Sequence, residues 1–206
     1  MMSLWLLLTA CAGAEPAPTP AATQHAPPAC PQTTAQLAAL HPDLDASDPR
    51  LAGEDLIVVR KAARETLHYE RGTATGCWEV GLGFTPTGHK VREGDGTTPE
   101  GWYRTSDKPW SAFYGAIYVH YPNEADAQAA LDRGQISTAD ERKIRAALRA
   151  GAVPPQATPM GGEILLHGGG GRSDWTFGCV AFENSELDAL RARLPSGMRT
   201  DVLILP

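Results

Sequence analysis

A mainly β domain with inserted helices is predicted for residues 55–206, on three observations. β-Branched and aromatic runs recur between 55 and 122, each bounded by Gly, Pro, Asn or Asp. Helical patterns are confined to short stretches between those runs, and the chain closes on another apolar run, Asp201 to Leu205. No internal repeat is present, and the length after the Ala/Pro-rich start fits one domain.

Residues 1–11 form the first unit. Met1-Met2-Ser3-Leu4-Trp5-Leu6-Leu7-Leu8-Thr9-Ala10-Cys11 is a short apolar run ending in small residues and a cysteine, the character of an export signal, although no Lys or Arg precedes it. It is too short to span a bilayer. Leu8-Thr9-Ala10-Cys11 resembles the bacterial lipoprotein box, in which the cysteine is lipidated. Ala12 rather than Asp follows it, so a periplasmic lipoprotein of the outer membrane is expected. Residues 12–54 are read as a linker and N-terminal extension, the stretch to about 32 being Ala, Pro, Thr and Gln with almost no large apolar side chain.

Within the domain, Leu56-Ile57-Val58-Val59 is a β-branched strand. Leu67-His68-Tyr69-Glu70 leads through an Arg71-Gly72 turn into Cys77-Trp78-Glu79-Val80-Gly81-Leu82-Gly83. The segment from Gly94 to Gly101 is too rich in turn residues for a helix or a central strand. Ala116 to Tyr121 is a further strand, ended by Pro122-Asn123.

Two helices follow. Glu124 to Leu131 is Ala-rich, and Thr138-Ala139-Asp140-Glu141 has capping-box spacing ahead of a helix to about Ala150, stopped by Gly151. Glu163 to Leu166 is a strand that delivers His167 at its end. Asn184 or Ser185 caps a last helix burying Leu187, Leu190 and Leu194.

The most informative stretch is His167-Gly168-Gly169-Gly170-Gly171-Arg172-Ser173-Asp174-Trp175-Thr176-Phe177-Gly178-Cys179-Val180. It offers a thiol, a base for it and a pliant loop between them. An imidazole that takes the thiol proton raises the reactive thiolate fraction, so the pair can attack a carbonyl.

The chain has four cysteines. With Cys11 assigned to lipid, a catalytic thiol in an oxidising compartment must be the one without a partner, which pairs Cys30 with Cys77 and leaves Cys179 free. A Cys77–Cys179 pair is the alternative, and it removes the nucleophile. No C-x-x-C or H-x-x-x-H pair exists, so no metal is expected.

In the same order as these elements, Glu93-Gly94-Asp95-Gly96-Thr97-Thr98-Pro99-Glu100-Gly101-Trp102-Tyr103, His167-Gly168 and Gly178-Cys179-Val180 resemble the motifs of the L,D-transpeptidase catalytic domain, the YkuD family. Tyr121-Pro122-Asn123 and Asp174 to Ala181 look closer to its YafK-like branch. The resemblance implies a β-sandwich catalytic domain acting on peptidoglycan stem peptides in cell-wall remodelling, without a cofactor. It makes Cys179 the nucleophile that forms a thioester, and His167 its base. Backbone N–H groups of Gly178 and Cys179 are the expected oxyanion donors.

The chain departs from the common pattern at two places. Many members read Ser-His-Gly-Cys, then a hydrophobe and Arg, where this chain has Thr176-Phe177-Gly178-Cys179-Val180-Ala181. Phe177 thus replaces a second histidine. The departure leaves open whether an amine or water captures the thioester: a hydrolase cleaving peptidoglycan or lipoprotein–peptidoglycan amide links is the alternative, and a non-catalytic peptidoglycan-binding lipoprotein a third reading.

Arg172, Asp174 and Trp175 are the candidate substrate contacts: Arg172 for stem carboxylates, Trp175 for stacking, with Asp174 also placed to orient His167. Each has a plain reading beside it, as a solvated loop arginine, packing aromatic and turn residue. His89, His120 and Tyr103 are read as structural. A net charge of −6 and no basic cluster argue against nucleic acid, membrane contact is expected only through the lipid, and a monomer is expected.

Overall fold

The structure, a computed structural model, describes residues 30–206; the export signal, the Cys11 lipidation site and residues 12–29 of the linker lie outside those residues. Eight strands carry the domain: β1 (Asp55–Arg60), β2 (Glu65–Glu70), β3 (Thr73–Glu79), β4 (Gly101–Asp107), β5 (Ile117–Val119), β6 (Leu165–Gly168), β7 (Val180–Phe182) and β8 (Asp201–Leu205). They form one sheet in the order β3-β2-β1-β8-β4-β5-β6-β7. β1 pairs with β8, and β6 with β7, in parallel; the other pairings are antiparallel. The β-rich fold class read from the sequence is the one observed.

The sheet folds over and nearly closes on itself. Just past β3, Gly81 exchanges backbone hydrogen bonds with Ala181 of β7, at 2.9 and 2.8 Å, and Phe84 N donates to Thr176 O at 2.9 Å. Glycine is required here, because a Cβ on Gly81 would stand 2.0 Å from Ser173 O. The hairpin between β2 and β3 turns on Arg71 and Gly72, both at positive φ (48° and 77°), the geometry of a tight two-residue hairpin turn.

The alternation of side chains in β1 and β8 explains why Leu56 to Val59 is apolar without a break. Ile57, Val59, Val202 and Ile204 face the main core, where they meet Ile117, Val119, Leu166, Val180 and Phe182 across the fold. Leu56, Val58, Leu203 and Leu205 face outward, beneath Leu37 and Leu51. Those two come from the N-terminal extension, which supplies α1 (Thr34–Leu40) and a 3₁₀ turn over Pro49–Ala52. The extension is therefore a lid on the second face of the sheet. Cys30 is disulfide-bonded to Cys77 of β3, and Tyr69 Oη donates to Pro31 O at 2.9 Å, so the N-terminal end of this lid is fastened twice.

The remaining helices are α2 (Glu124–Asp132), α3 (Thr138–Arg149) and α4 (Asn184–Arg191). Two caps differ from those read in the sequence. The capping box of α3 lies one residue earlier, with Ser137 as the cap and Asp140 returning the bond; Glu141 instead pairs with Arg145, which also reaches Glu124 of α2 at 2.6 Å. α4 has Glu183 at its cap position with no side-chain cap bond, because Asn184 Oδ1 accepts from Gly169 N at 2.9 Å. That bond ties the helix start to the loop after His167.

If the extension is part of the core, Leu37→Ala lowers stability by about 2–5 kcal/mol, the range for emptying a buried leucine site. Urea unfolding followed by circular dichroism measures this; an unchanged midpoint contradicts the assignment.

Candidate active site

His167 lies in β6, and Cys179 immediately precedes β7. The parallel register pairs Leu166 with Val180 and His167 with Ala181. Successive side chains alternate across a sheet, so while Leu166 and Val180 enter the main core, His167 and Cys179 share the opposite face on adjacent strands.

His167 is only 1% exposed although it points away from that core. Phe113 lies against its ring at 4.4 Å and Trp175 meets it edge-on at 5.7 Å. Its Nδ1–H donates to Gly168 O at 2.6 Å, which leaves Nε2 as the basic nitrogen. Burial lowers its pKa, the Gly168 bond opposing, so the ring is neutral at pH 7 and free to take a proton.

Cys179 is half-buried, packed against Ala116, Tyr118 and Leu165. Its Sγ donates to Glu163 O at 3.4 Å. Desolvation pushes the thiol pKa up to about 11, although a hydrogen bond from the Leu165 backbone N–H works the other way. Thiol and imidazole are thus each bonded to a main-chain carbonyl rather than to each other. Proton transfer between them requires the thiol to turn away from Glu163.

The turn ahead of the cysteine is tightly specified. Gly178 has φ of +126°, and a Cβ there would stand 2.7 Å from Thr97 O. Its N–H donates to Thr176 Oγ1 at 3.1 Å, and that hydroxyl donates to Cys179 O at 2.7 Å. The Gly178 amide is therefore engaged, which corrects the expectation that it serves as an oxyanion donor.

Thr97 belongs to the turn-rich 94–101 segment, whose purpose the structure explains. Asp95 accepts from Val91 N (2.8 Å), Arg92 N (2.9 Å), Thr97 N (3.1 Å) and Lys90 Nζ (2.9 Å). Burial works against ionisation of this carboxyl, but those bonds hold its pKa below the usual value. The turn ahead of Cys179 rests on the loop that Asp95 fixes.

The other expected contacts are distributed differently. Asp174 does not orient His167; it holds Arg64 through both oxygens (2.8–3.1 Å) and accepts from Leu82 N at 2.9 Å. The seam of the sheet passes beside it, and the Gly168 carbonyl already does the orienting. Arg172, largely exposed, pairs with Glu79 and lies 3.8 Å from both Glu183 and Glu186. Trp175 does stand at the site, its Nε1 donating to Gly170 O at 3.0 Å. His120 is buried against Ser106 Oγ at 2.8 Å, and His89 and Tyr103 both bond Asp126, structural roles as read.

Four residues at the site escaped the sequence reading: Phe113, Lys108, Tyr118 and Glu163. The aromatic density of Trp110, Phe113 and Tyr114 in a turn segment was a signal for the first. Glu163 gave none, since its positive φ of 56° is a tertiary outcome. Among the described residues, Cys30, Glu65 and Cys77 have metal-like spacing, but the two sulfurs are joined to each other.

A nearly closed sheet with a thiol and an imidazole on adjacent parallel strands defines a class of domain rather than a protein. The family model for the L,D-transpeptidase catalytic domain, YkuD, matches residues 54–204, and the chain belongs to that family. Similar solved structures include the helical cell shape determining protein Pgp2 from Campylobacter jejuni (21% identity, TM-score 0.49, covering 73% of this chain and 46% of that one). Bd1075 from Bdellovibrio bacteriovorus gives 21% identity and a TM-score of 0.46 over 74% of this chain and 48% of that one. An L,D-transpeptidase from Xylanimonas cellulosilytica gives 16% and 0.42 over 82% and 69%. The chain spans about half the length of the first two. No curated protein matches it.

A thiol with a raised pKa gains thiolate steadily as pH rises. Alkylation of Cys179 by iodoacetamide is expected to accelerate throughout about pH 6 to 10 and not to level off near the ordinary cysteine value of about 8.5. A plateau by neutral pH, read by mass spectrometry, indicates a preformed thiolate and contradicts the resting state described.

Proposed function

We propose that the protein is a cysteine L,D-transpeptidase of the cell wall, acting on peptidoglycan stem peptides with Cys179 as nucleophile and His167 as base. One observation carries this beyond family membership: the thiol left out of the disulfide shares a sheet face with a histidine whose tautomer is fixed by Gly168 O. His167 Nε2 takes the Sγ proton as sulfur attacks the carbonyl of diaminopimelate at stem position three. The C–N bond to D-Ala then breaks, and the same nitrogen returns the proton to the departing amine. An acceptor amine attacks the thioester, gives its proton to His167, and sulfur leaves to be reprotonated. Cys179 N–H faces the oxygen charge in this scheme, and Phe113 and Trp175 keep water from the imidazole.

A second reading, hydrolysis, is favoured by Phe177. This side chain is 73% exposed, packs edge-on against Phe84 at 5.3 Å, and rims a cavity of about 390 Å³ with Lys90, Gln156 and Glu163. The Phe177 side chain itself offers no hydrogen bond to an incoming amine, and water is then a competing acceptor. Cleavage of peptidoglycan or lipoprotein–peptidoglycan amide links belongs to this reading. In either case we propose a periplasmic monomer held by lipid on Cys11; the Cys30–Cys77 disulfide supports an oxidising compartment.

Incubating the purified protein with muropeptides and resolving products by mass spectrometry separates the readings. Cross-linked dimers with loss of D-Ala identify transpeptidation, water addition identifies hydrolysis, and unchanged peptides identify a binding protein. His167→Ala is expected to reduce turnover about a hundredfold to ten-thousandfold, and Cys179→Ala to abolish it. Retained turnover in Cys179→Ala overturns the mechanism.

A further inference from the structure

We propose that Lys108 and Tyr118 form a carboxylate-binding subsite beside the thiol, occupied by the Glu163 side chain until substrate displaces it. This rests on the acyl-transfer reading above, and it names the group on the substrate that the site reads.

The cradle is built from groups of unequal mobility. Lys108, directly after β4, has a side chain only 10% exposed, and its Nζ stands 4.2 Å over the Tyr118 ring. Tyr118 lies within β5. The Glu163 carboxylate fills the fork between them: Oε2 pairs with Lys108 Nζ, and Oε1 accepts from Tyr118 Oη at 2.6 Å. Glu163 is different in kind, with a side chain 55% exposed on a non-glycine residue at positive φ outside any strand.

A buried cation needs a counter-charge, and the exposed member of the pair is the exchangeable one. Because Lys108 is already desolvated, one carboxylate can replace another without burying new charge, and the Glu163 carboxylate returns to water.

The position fits substrate. The main-chain O of Glu163 is the acceptor of the Cys179 thiol at 3.4 Å, and Tyr118 packs with Cys179. A cavity of about 300 Å³ opens there, lined by Lys108, Trp110, Phe113, Tyr118, Glu163 and Leu165, enough for one small residue. The ligand is therefore a peptide carboxylate within about one residue of the scissile carbonyl. A stem tetrapeptide has two, the terminal carboxylate of the departing D-amino acid and the side-chain carboxylate of diaminopimelate.

The Cys179→Ala full chain permits a binding test without turnover. Calorimetry compares three tetrapeptides: both carboxylates free, the terminal one amidated, or the diaminopimelate one amidated. Loss of a charged hydrogen bond predicts weakening of about tenfold or more for at least one amide, and that amide identifies the carboxylate read. Adding Lys108→Met is expected to make all three bind alike. Tyr118→Phe keeps a smaller difference, and Glu163→Gln, which weakens the occupant, tightens the free acid.

Equal binding of the three peptides, no binding of any, or a difference that survives Lys108→Met overturns the subsite. Turnover by the unaltered protein is read separately. Discrimination without turnover overturns acyl transfer alone; turnover without discrimination overturns the subsite alone.

Discussion

The seam where the sheet meets itself is the constraint on which the site depends. Backbone bonds between Gly81 and Ala181, and between Phe84 and Thr176, give β7 and the turn before it a partner on the side away from β6. The Cys179 segment is therefore clamped from two directions, and it has little freedom to settle elsewhere. The clamp works only because side chains are absent where main chains meet: a Cβ on Gly83 would stand 2.0 Å from Gly96 O, as one on Gly81 would crowd Ser173 O. Thr98 Oγ1 accepts from Gly83 N at 3.2 Å, so the 94–101 loop, the seam and the turn at Gly178 form one continuous support.

Charge near this support is almost entirely answered from within the chain. Arg64 belongs to Asp174, Lys90 to Asp95, Lys61 to Glu100, and Arg172 to a group of glutamates. These pairs position backbone: Asp174 also holds Leu82 N, and Lys61 also donates to Thr98 O at 2.9 Å. Lys108 and Glu163 stand apart from them because their partnership closes on a cavity instead of on a loop. An ion pair with one buried and one solvated member is poorly suited to add stability, but well suited to exchange its partner.

Much of this was legible in the sequence where a local rule governed. The unbroken Leu56 to Val59 run reads as a strand because both its faces are covered, and the strand leading to His167 was legible from its apolar run, although it begins at Leu165 rather than Glu163 and extends through His167 to Gly168. The free state of Cys179 follows from the pairing of the other two cysteines in the described chain. What escaped was set by long-range contact. Asp174 sits close to His167 in sequence, yet Arg64 draws its side chain to the seam. Asn184 has the chemistry of a helix cap, but Gly169 N presents a competing donor. The covering role of α1 was hidden because a seven-residue helix with one fully buried leucine carries too weak a periodic pattern to declare its face.

The resting chemistry follows from the same packing. Desolvation raises the thiol pKa and lowers that of the imidazole, so both groups are neutral at pH 7 and no ion pair waits between them. That differs from cysteine sites in which a preformed thiolate is held by a cationic neighbour. A thiolate is the species that attacks disulfides and is oxidised first. A free cysteine kept as a thiol, its proton on a carbonyl and the imidazole beneath Phe113 and Trp175, would, in the oxidising compartment proposed above, be protected until it turns toward the imidazole. Glu163 links that turn to occupancy, since the residue whose carbonyl holds the thiol is the one whose side chain must leave the Lys108 cradle. A carboxylate that displaces the side chain loosens the anchorage of a main chain already held at positive φ, and the carbonyl that retains the proton is on that same main chain. On the reading proposed above, substrate binding and release of the thiol are one movement.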